Sequence, residues 1–279
     1  MKTKLSIIAV ALFITIGLQA QTQLVSKKGV PILPEAGEYM IGIDATPFFS
    51  YMGNMFNGNT TNFAPSFGFT ATNPLSLYGK YMVDDKTAYR GILRLGYTNY
   101  KDKAYIINDD QALPIDPEKT VEDFHKNSQT HITLGAGLEK RRGKGRLQGL
   151  YGGQLLFSIN TYKDTYEYGN AFSATNTNPS RTNFGTNAGW VTSDKQGTNF
   201  GIALQGFVGV EYFFAPKMSI SGEFYYGFQF SNSGDGTVES ESWDATANDV
   251  KTSTSITAGD RFFGFDNAVT GAINFNFYF

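Results

Sequence analysis

The stretch Thr198-Asn199-Phe200-Gly201-Ile202-Ala203-Leu204-Gln205-Gly206-Phe207-Val208-Gly209-Val210-Glu211-Tyr212-Phe213-Phe214 decides how the rest of the chain is read. Phe200, Ile202, Leu204, Val208, Val210, Tyr212 and Phe214 fall on one face of a two-residue period, and Asn199, Gly201, Ala203, Gln205, Gly209 and Glu211 on the other. A helix would need a period near 3.6, so this is a strand. After Ala215-Pro216-Lys217 the alternation resumes, with Ile220, Phe224, Tyr226, Phe228 and Phe230 set against Ser219, Ser221, Glu223, Tyr225 and Gln229. The two segments predict a hairpin.

Working outward, the same period predicts strands over about Glu38–Tyr51, Leu75–Val83, Thr87–Tyr100, Ser128–Glu139 and Arg146–Tyr162, and in the final segment Phe263–Phe279, eight in all. The connections alternate strictly. Those at Asp84–Lys86, Lys140–Gly145 and Ala215–Lys217 are short, and those at Met52–Pro74, Lys101–Asn127, Lys163–Gly197 and Ser231–Asp260 are long. In an antiparallel array every long loop therefore leaves one end and every short turn the other.

Composition narrows the function classes. The 279 residues carry 23 Lys+Arg against 25 Asp+Glu, so no basic excess exists to neutralise nucleic-acid phosphates. Without cysteine there is no disulfide, thiolate metal site, Cys nucleophile or lipid-bearing amino-terminal Cys. His125 and His131 are the only histidines, too few for a multi-histidine metal centre. Residues 1–20, with Lys2 and Lys4 before an apolar run from Leu5 to Leu18 and then Gln19-Ala20, have the pattern of a cleaved secretory signal peptide. Its removal leaves 21 basic and 25 acidic side chains, so the expected product is exported and mildly acidic.

Alternation alone cannot separate a cylinder with an apolar inside from one with an apolar outside. The polar face can, because it is built of Gly, Ser, Thr, Asn and Gln with isolated charges rather than the many Lys and Glu of a solvated face. Aromatics crowd the strand ends, with Phe49, Tyr51, Tyr97, Phe200, Phe230 and Phe263 towards the long loops and Tyr39, Tyr81, Phe214 and Phe277 towards the short turns. These form two girdles of the kind found at membrane interfaces. The fold expected is all-β: a closed eight-stranded antiparallel up-and-down transmembrane β-barrel over residues 38–279, with four long extracellular loops and three short periplasmic turns. A sheet survives in lipid only when it closes on itself.

In this architecture, and in the ending Ile273-Asn274-Phe275-Asn276-Phe277-Tyr278-Phe279, the chain resembles the small outer-membrane β-barrel proteins of Gram-negative bacteria, the group of OmpA, OmpX and OmpW. The resemblance implies a place in the outer membrane among lipid and lipopolysaccharide. It also makes Phe275, Phe277 and Phe279 the aromatic signal read by the barrel-assembly machinery.

Parity turns Asp44, Lys80, Arg90, Arg94, Glu211 and Glu223 inward, all in the half nearer the short turns. With strands 2 and 3 opposite strands 6 and 7 in a ring of eight, Lys80, Arg90 and Arg94 are expected to meet Glu211 and Glu223 across a narrow lumen, with Asp44 beside them. Their mutual satisfaction would plug the core, and a gate that opens on rearrangement is the alternative. A triad of Ser128, His131 and Asp266 can be written near the long-loop end, as in lipid A-modifying barrels, but no motif of those enzymes surrounds it. The acidic clusters Asp109, Asp110, Asp116, Glu118 and Asp235, Glu239, Glu241, Asp244 lack the alternating spacing of a calcium loop and are read as solvated surface. No cofactor is expected.

Residues 21–37, with Pro31 and Pro34, are expected to form an extended periplasmic leader, the alternative being a strap that enters the lumen or docks on a partner. Tyr166, Tyr168, Trp190 and Trp243, in long loops rich in Gly and Asn, are candidate binding aromatics. The leading expectation is a non-enzymatic structural or interaction protein whose partner is another outer-membrane protein or an extracellular ligand. A narrow channel for small or apolar solutes is the alternative, and a lipid A-modifying enzyme a third.

Overall fold

The structure, a computed structural model, describes residues 24–56, 76–185 and 189–279, with 53–56 and 266–270 described by their backbone only. The expected signal peptide lies outside the described residues. Eleven antiparallel strands and one helix follow in the order β1 (Tyr39–Asp44), α1 (Thr46–Phe56), β2 (Ser76–Asp84), β3 (Thr87–Ile107), β4 (Thr120–Lys144), β5 (Leu147–Glu167), β6 (Trp190–Lys195), β7 (Asn199–Ala215), β8 (Met218–Ser233), β9 (Gly236–Asp244), β10 (Asp249–Thr257) and β11 (Arg261–Tyr278).

Eight of the strands pair in a ring. From β1 the hydrogen-bonded order runs through β2, β3, β4, β5, β7, β8 and β11, and β11 returns to β1. Two-residue turns at Asp85-Lys86, Gly145-Arg146 and Pro216-Lys217 join strand pairs at one end. Gly145 (φ 65°) and Lys217 (φ 59°) take left-handed backbones there, as tight hairpins of matching twist require.

The apolar side chains point away from the ring axis. Leu204 is 59% exposed, Val208 60% and Phe228 50%, while Glu139 and Glu211 inside are fully buried. The expected aromatic rows are on the outside, Tyr39, Tyr81, Phe214 and Phe277 near the short turns and Tyr97, Phe200, Phe230 and Phe263 towards the other end, except that Phe49 and Tyr51 fall on α1 and not on a ring strand. The inner face also holds rings, namely Tyr78, Phe207, Phe213, Tyr225 and Tyr278.

Three expectations change. First, β1 stops at Asp44 and residues 46–56 form α1 instead of continuing a strand to Tyr51. The Asp44 carboxylate accepts from the Thr46 amide at 2.8 Å, and Pro47, unable to donate to a sheet ladder, suits a first helical turn. Second, three of the four long connections carry strands of their own. β3 and β4 pair without interruption out to Ile107 and Thr120, leaving twelve residues at the tip. Beyond residue 162, β5 exchanges its partner β7 for β6, and β6, β9 and β10 extend the sheet sideways from the ring.

Third, residues 24–37 are docked rather than trailing. Ser26 and Val30 close a turn around Gly29 (φ 78°), Val25 bridges Pro31, and Ile32 is 2% exposed among Met40, Met82, Phe213 and Tyr278. The Lys217 amide donates to the Ile32 carbonyl at 3.1 Å, and its ammonium reaches the Leu33 carbonyl at 2.9 Å and Glu38 at 2.5 Å. Burying Ile32 removes about 1.5–3 kcal/mol worth of apolar surface from water, enough to hold a segment whose prolines have already limited its freedom. This strap covers the short-turn end of the ring.

Candidate functional site

The inward polar side chains gather into one network near the short turns. Arg90 donates from Nη2 to Glu223 at 2.8 Å and from Nη1 to Glu139 at 3.4 Å. Lys80 Nζ lies 2.8 Å from Glu139 as an ion pair. Arg141 donates from Nε to Glu139 at 3.0 Å and from Nη2 to Glu211 at 2.5 Å, and also reaches the Tyr278 hydroxyl. Hydroxyls and amides complete the carboxylate shells: Tyr225 donates to Glu223 at 2.6 Å, while Ser219 at 2.5 Å, Tyr278 at 2.8 Å and Asn276 at 3.0 Å donate to Glu211.

Three cations, Lys80, Arg90 and Arg141, thus face three carboxylates, Glu139, Glu211 and Glu223, and none is more than 5% exposed. Ions taken from water carry a penalty of several kcal/mol each, offset only when every partner is in place. The Arg90 guanidinium also lies 4.1 Å over the Phe207 ring. Gly152, the cross-strand neighbour of Glu139, keeps this packing possible, since a Cβ there would sit 2.8 Å from the Phe207 ring.

Of the six residues expected inside, Lys80, Arg90, Glu211 and Glu223 belong to the network. Arg94 does not, for its Nε donates to the Ser76 hydroxyl at 2.8 Å. Nor does Asp44, which caps α1. Two hubs were missed. Glu139 shares the inward parity of His131, eight residues earlier on β4, and that parity carries on to Arg141. The basic run Lys140-Arg141-Arg142 looks like a turn in the sequence, whereas β4 continues through it to Lys144.

The loop aromatics have placements of their own. Trp190 is 8% exposed, edge-on to Tyr168 and Phe172 at 4.9 Å each, with the Arg181 guanidinium 5.5 Å from its ring. The Tyr168 hydroxyl donates to the Val191 carbonyl at 2.7 Å. Tyr166 is buried and stacks on His125 at 4.8 Å. Burial first, then the Asp164 carboxylate, push its phenol up to about 12. Trp190, Tyr168 and Phe172 form a small second core beside β6, and Trp243 on β9 is half-buried.

His125 sits between two carboxylates, Nε2 being 2.7 Å from Asp164 and Nδ1 3.6 Å from Asp102. Asn127 also donates to Asp164, at 2.8 Å. Loop carboxylates elsewhere tie backbones together. Asp123 accepts from Gly169 at 2.8 Å and Thr182 at 2.6 Å, and Asp244 from Thr246 at 2.9 Å and Ala247 at 3.1 Å. Asp109 accepts from the Ser180 amide at 2.5 Å and Asn176 at 2.8 Å. Among the described residues no three His, Asp or Glu side chains are grouped to hold a metal ion.

His131 bonds the Thr133 hydroxyl at 3.1 Å, and strand alternation turns Ser128 to the opposite face of β4. Asp266 is paired through its backbone with Gly227, and its side chain lies outside the described residues. Above the network, a cavity of about 330 Å³ is lined by uncharged amides and hydroxyls together with His131, among them Gln129, Asn160, Tyr162, Asn199 and Ser233. Phe275, Phe277 and Phe279 all face outward, and Phe279 exchanges two backbone hydrogen bonds of 2.9 Å with Tyr39.

No family model matches the sequence, and neither does any curated protein. Among solved structures the chain is similar to the crystal structure of the outer membrane protein OprG from Pseudomonas aeruginosa, at 14% identity and a TM-score of 0.35, over 89% of this chain and 98% of that one. A superposition that loose carries no weight, and the functional reading rests on the side chains described above.

Proposed function

We propose that this protein is an outer-membrane β-barrel that works as a non-enzymatic structural or interaction protein, its eight ring strands crossing the lipid and its interior closed. The observation that carries the reading is the inverted distribution of side chains. Isoleucine, leucine, valine and phenylalanine cover the outside of the ring while six buried charges occupy its inside. In water that arrangement would expose a wide apolar belt and bury ions at a penalty; in a bilayer the belt meets acyl chains. The α1 segment and the sideways sheet of β6, β9 and β10 would then lie at the cell surface with the long loops, and the strap in the periplasm.

The network and the buried Ile32 both obstruct the short-turn half of the lumen, so the reading predicts negligible conductance. Single-channel recording on the reconstituted protein tests it, and large stable channels would overturn it. Co-purification in mild detergent is expected to bring down another outer-membrane protein, and recovery of the barrel alone under crosslinking would count against an interaction role.

A narrow passage for small apolar solutes is a second reading, favoured by the wall heights. β1 has 6 residues before the chain turns into α1, against 21 in β3 and 18 in β11. Solute-uptake assays in proteoliposomes separate it from the first. The lipid A-modifying reading predicts altered lipid A mass spectra after His131→Ala, and unchanged spectra are expected.

A further inference from the structure

Beneath the ion network, between strap and ring, lies a cavity of about 170 Å³. That is far above the roughly 10–15 Å³ a single water needs. Leu24, Pro31, Leu33 and Pro34 of the strap give it an apolar wall. Arg141 and Gln148 also line it, and both are at least 95% buried. Arg141 spends Nε on Glu139 and Nη2 on Glu211 and Tyr278, yet its Nη1 is buried with no partner. An unmet buried N–H costs about 1–3 kcal/mol and calls for an acceptor.

The charge balance says which acceptor. The three network cations are already matched by three carboxylates, so an incoming anion would be one negative charge too many. Lys217 is shared by the half-buried Glu35 at 3.5 Å and by Glu38 at 2.5 Å, so this rim, with the exposed Asp85, carries excess acid and would repel it further. A neutral carbonyl oxygen fits Nη1, a cationic group fits Glu35 and Asp85, and an apolar side chain fits the prolines and leucines. We propose that this cavity binds the amino-terminal end of a short apolar peptide segment. A carbonyl oxygen accepts from Arg141, the side chain lies on the strap, and the ammonium faces Glu35 and Asp85.

Calorimetry on the full mature chain in lipid nanodiscs tests this with three probes: Leu-Ala-amide (cationic), N-acetyl-Leu-Ala-amide (neutral) and N-acetyl-Leu-Ala (anionic). The cationic amide should bind, the neutral one about two- to fivefold more weakly, as an exposed charge pair allows, and the anion not detectably. Leu24→Trp, which fills the cavity, should weaken Leu-Ala-amide by about tenfold or more. Asp85→Asn lies on an exposed turn outside the network and should remove most of the preference for the cationic probe, which gives a readout should Leu24→Trp fail to fold. Absence of binding by every probe would mean the cavity holds solvent only and would overturn the proposal, as would tightest binding by the anion.

Discussion

Replacing Glu139 by Gln removes one carboxylate from a buried set of three and leaves Lys80, Arg90 and Arg141 facing Glu211 and Glu223 alone. Glu139 is the one carboxylate within reach of all three cations, at 2.8, 3.4 and 3.0 Å. Breaking a buried pair by removing one partner costs about 3–5 kcal/mol, and here a single change touches three pairs, so the upper part of that range is expected. In equilibrium terms the folding constant should fall by about three to three and a half decades. Urea unfolding of the protein in lipid bilayers reads this directly. The diagnostic measurement is the cycle with Lys80→Met: the double variant returns the network to two cations against two carboxylates, so part of the loss should be recovered as a coupling energy of about 0.5–3 kcal/mol. A single variant within about 1 kcal/mol of the parent, or a double variant whose losses simply add, would refute the view that these six side chains act as one unit.

Leu204→Arg, near the middle of β7 on the outer face, should cost about 2–4 kcal/mol in a bilayer, whereas Ser253→Arg on β10 should stay within about 0.5 kcal/mol; equal effects would contradict the membrane placement. Acrylamide should quench Trp243 more than Trp190 when each is studied as the sole tryptophan, and Trp190→Ala should loosen residues 168–185 while leaving the melting of the ring in place. Burial pushes the Asp109 carboxyl up, but the Ser180 amide and Asn176 pull it further down, to a net position below its ordinary value. The clip between residues 109 and 180 is therefore complete above about pH 3.9 and lost as pH falls through the lower folded value. The Ser180 amide resonance should titrate with a midpoint under about 3.9, and one at or above that value would exclude the clip.

The strands of the ring were legible because their period is carried by large apolar residues on one side and small polar ones on the other, a contrast that survives without knowing which side meets lipid. β6, β9 and β10 were not. In Gly236–Asp244 and Asp249–Thr257 both faces are mostly Ser, Thr and acidic residues, so the alternation has no amplitude. α1 was hidden by a run of apolar and aromatic residues that suits strand and helix alike, and its signals, Asp44 and Pro47, are local. Among the site residues, parity sufficed for Lys80, Arg90, Glu211 and Glu223, while the loss of Arg141 came from ending β4 too soon at a cluster of charges. That Trp190, Tyr168 and Phe172 pack on one another depends on where a distant loop returns, which no local pattern encodes. The docking of Ile32 is of the same kind.

The pairing of Phe279 with Tyr39 ties the residue just after β11 to the first residue of β1. Until β11 is present, β1 and β8 each show an edge of bare amides and carbonyls, a state that hydrocarbon does not tolerate. If the ring crosses lipid as proposed, its closure waits on the pairing of β1 with β11, the two ring strands farthest apart in sequence, which makes that pairing a late step of assembly.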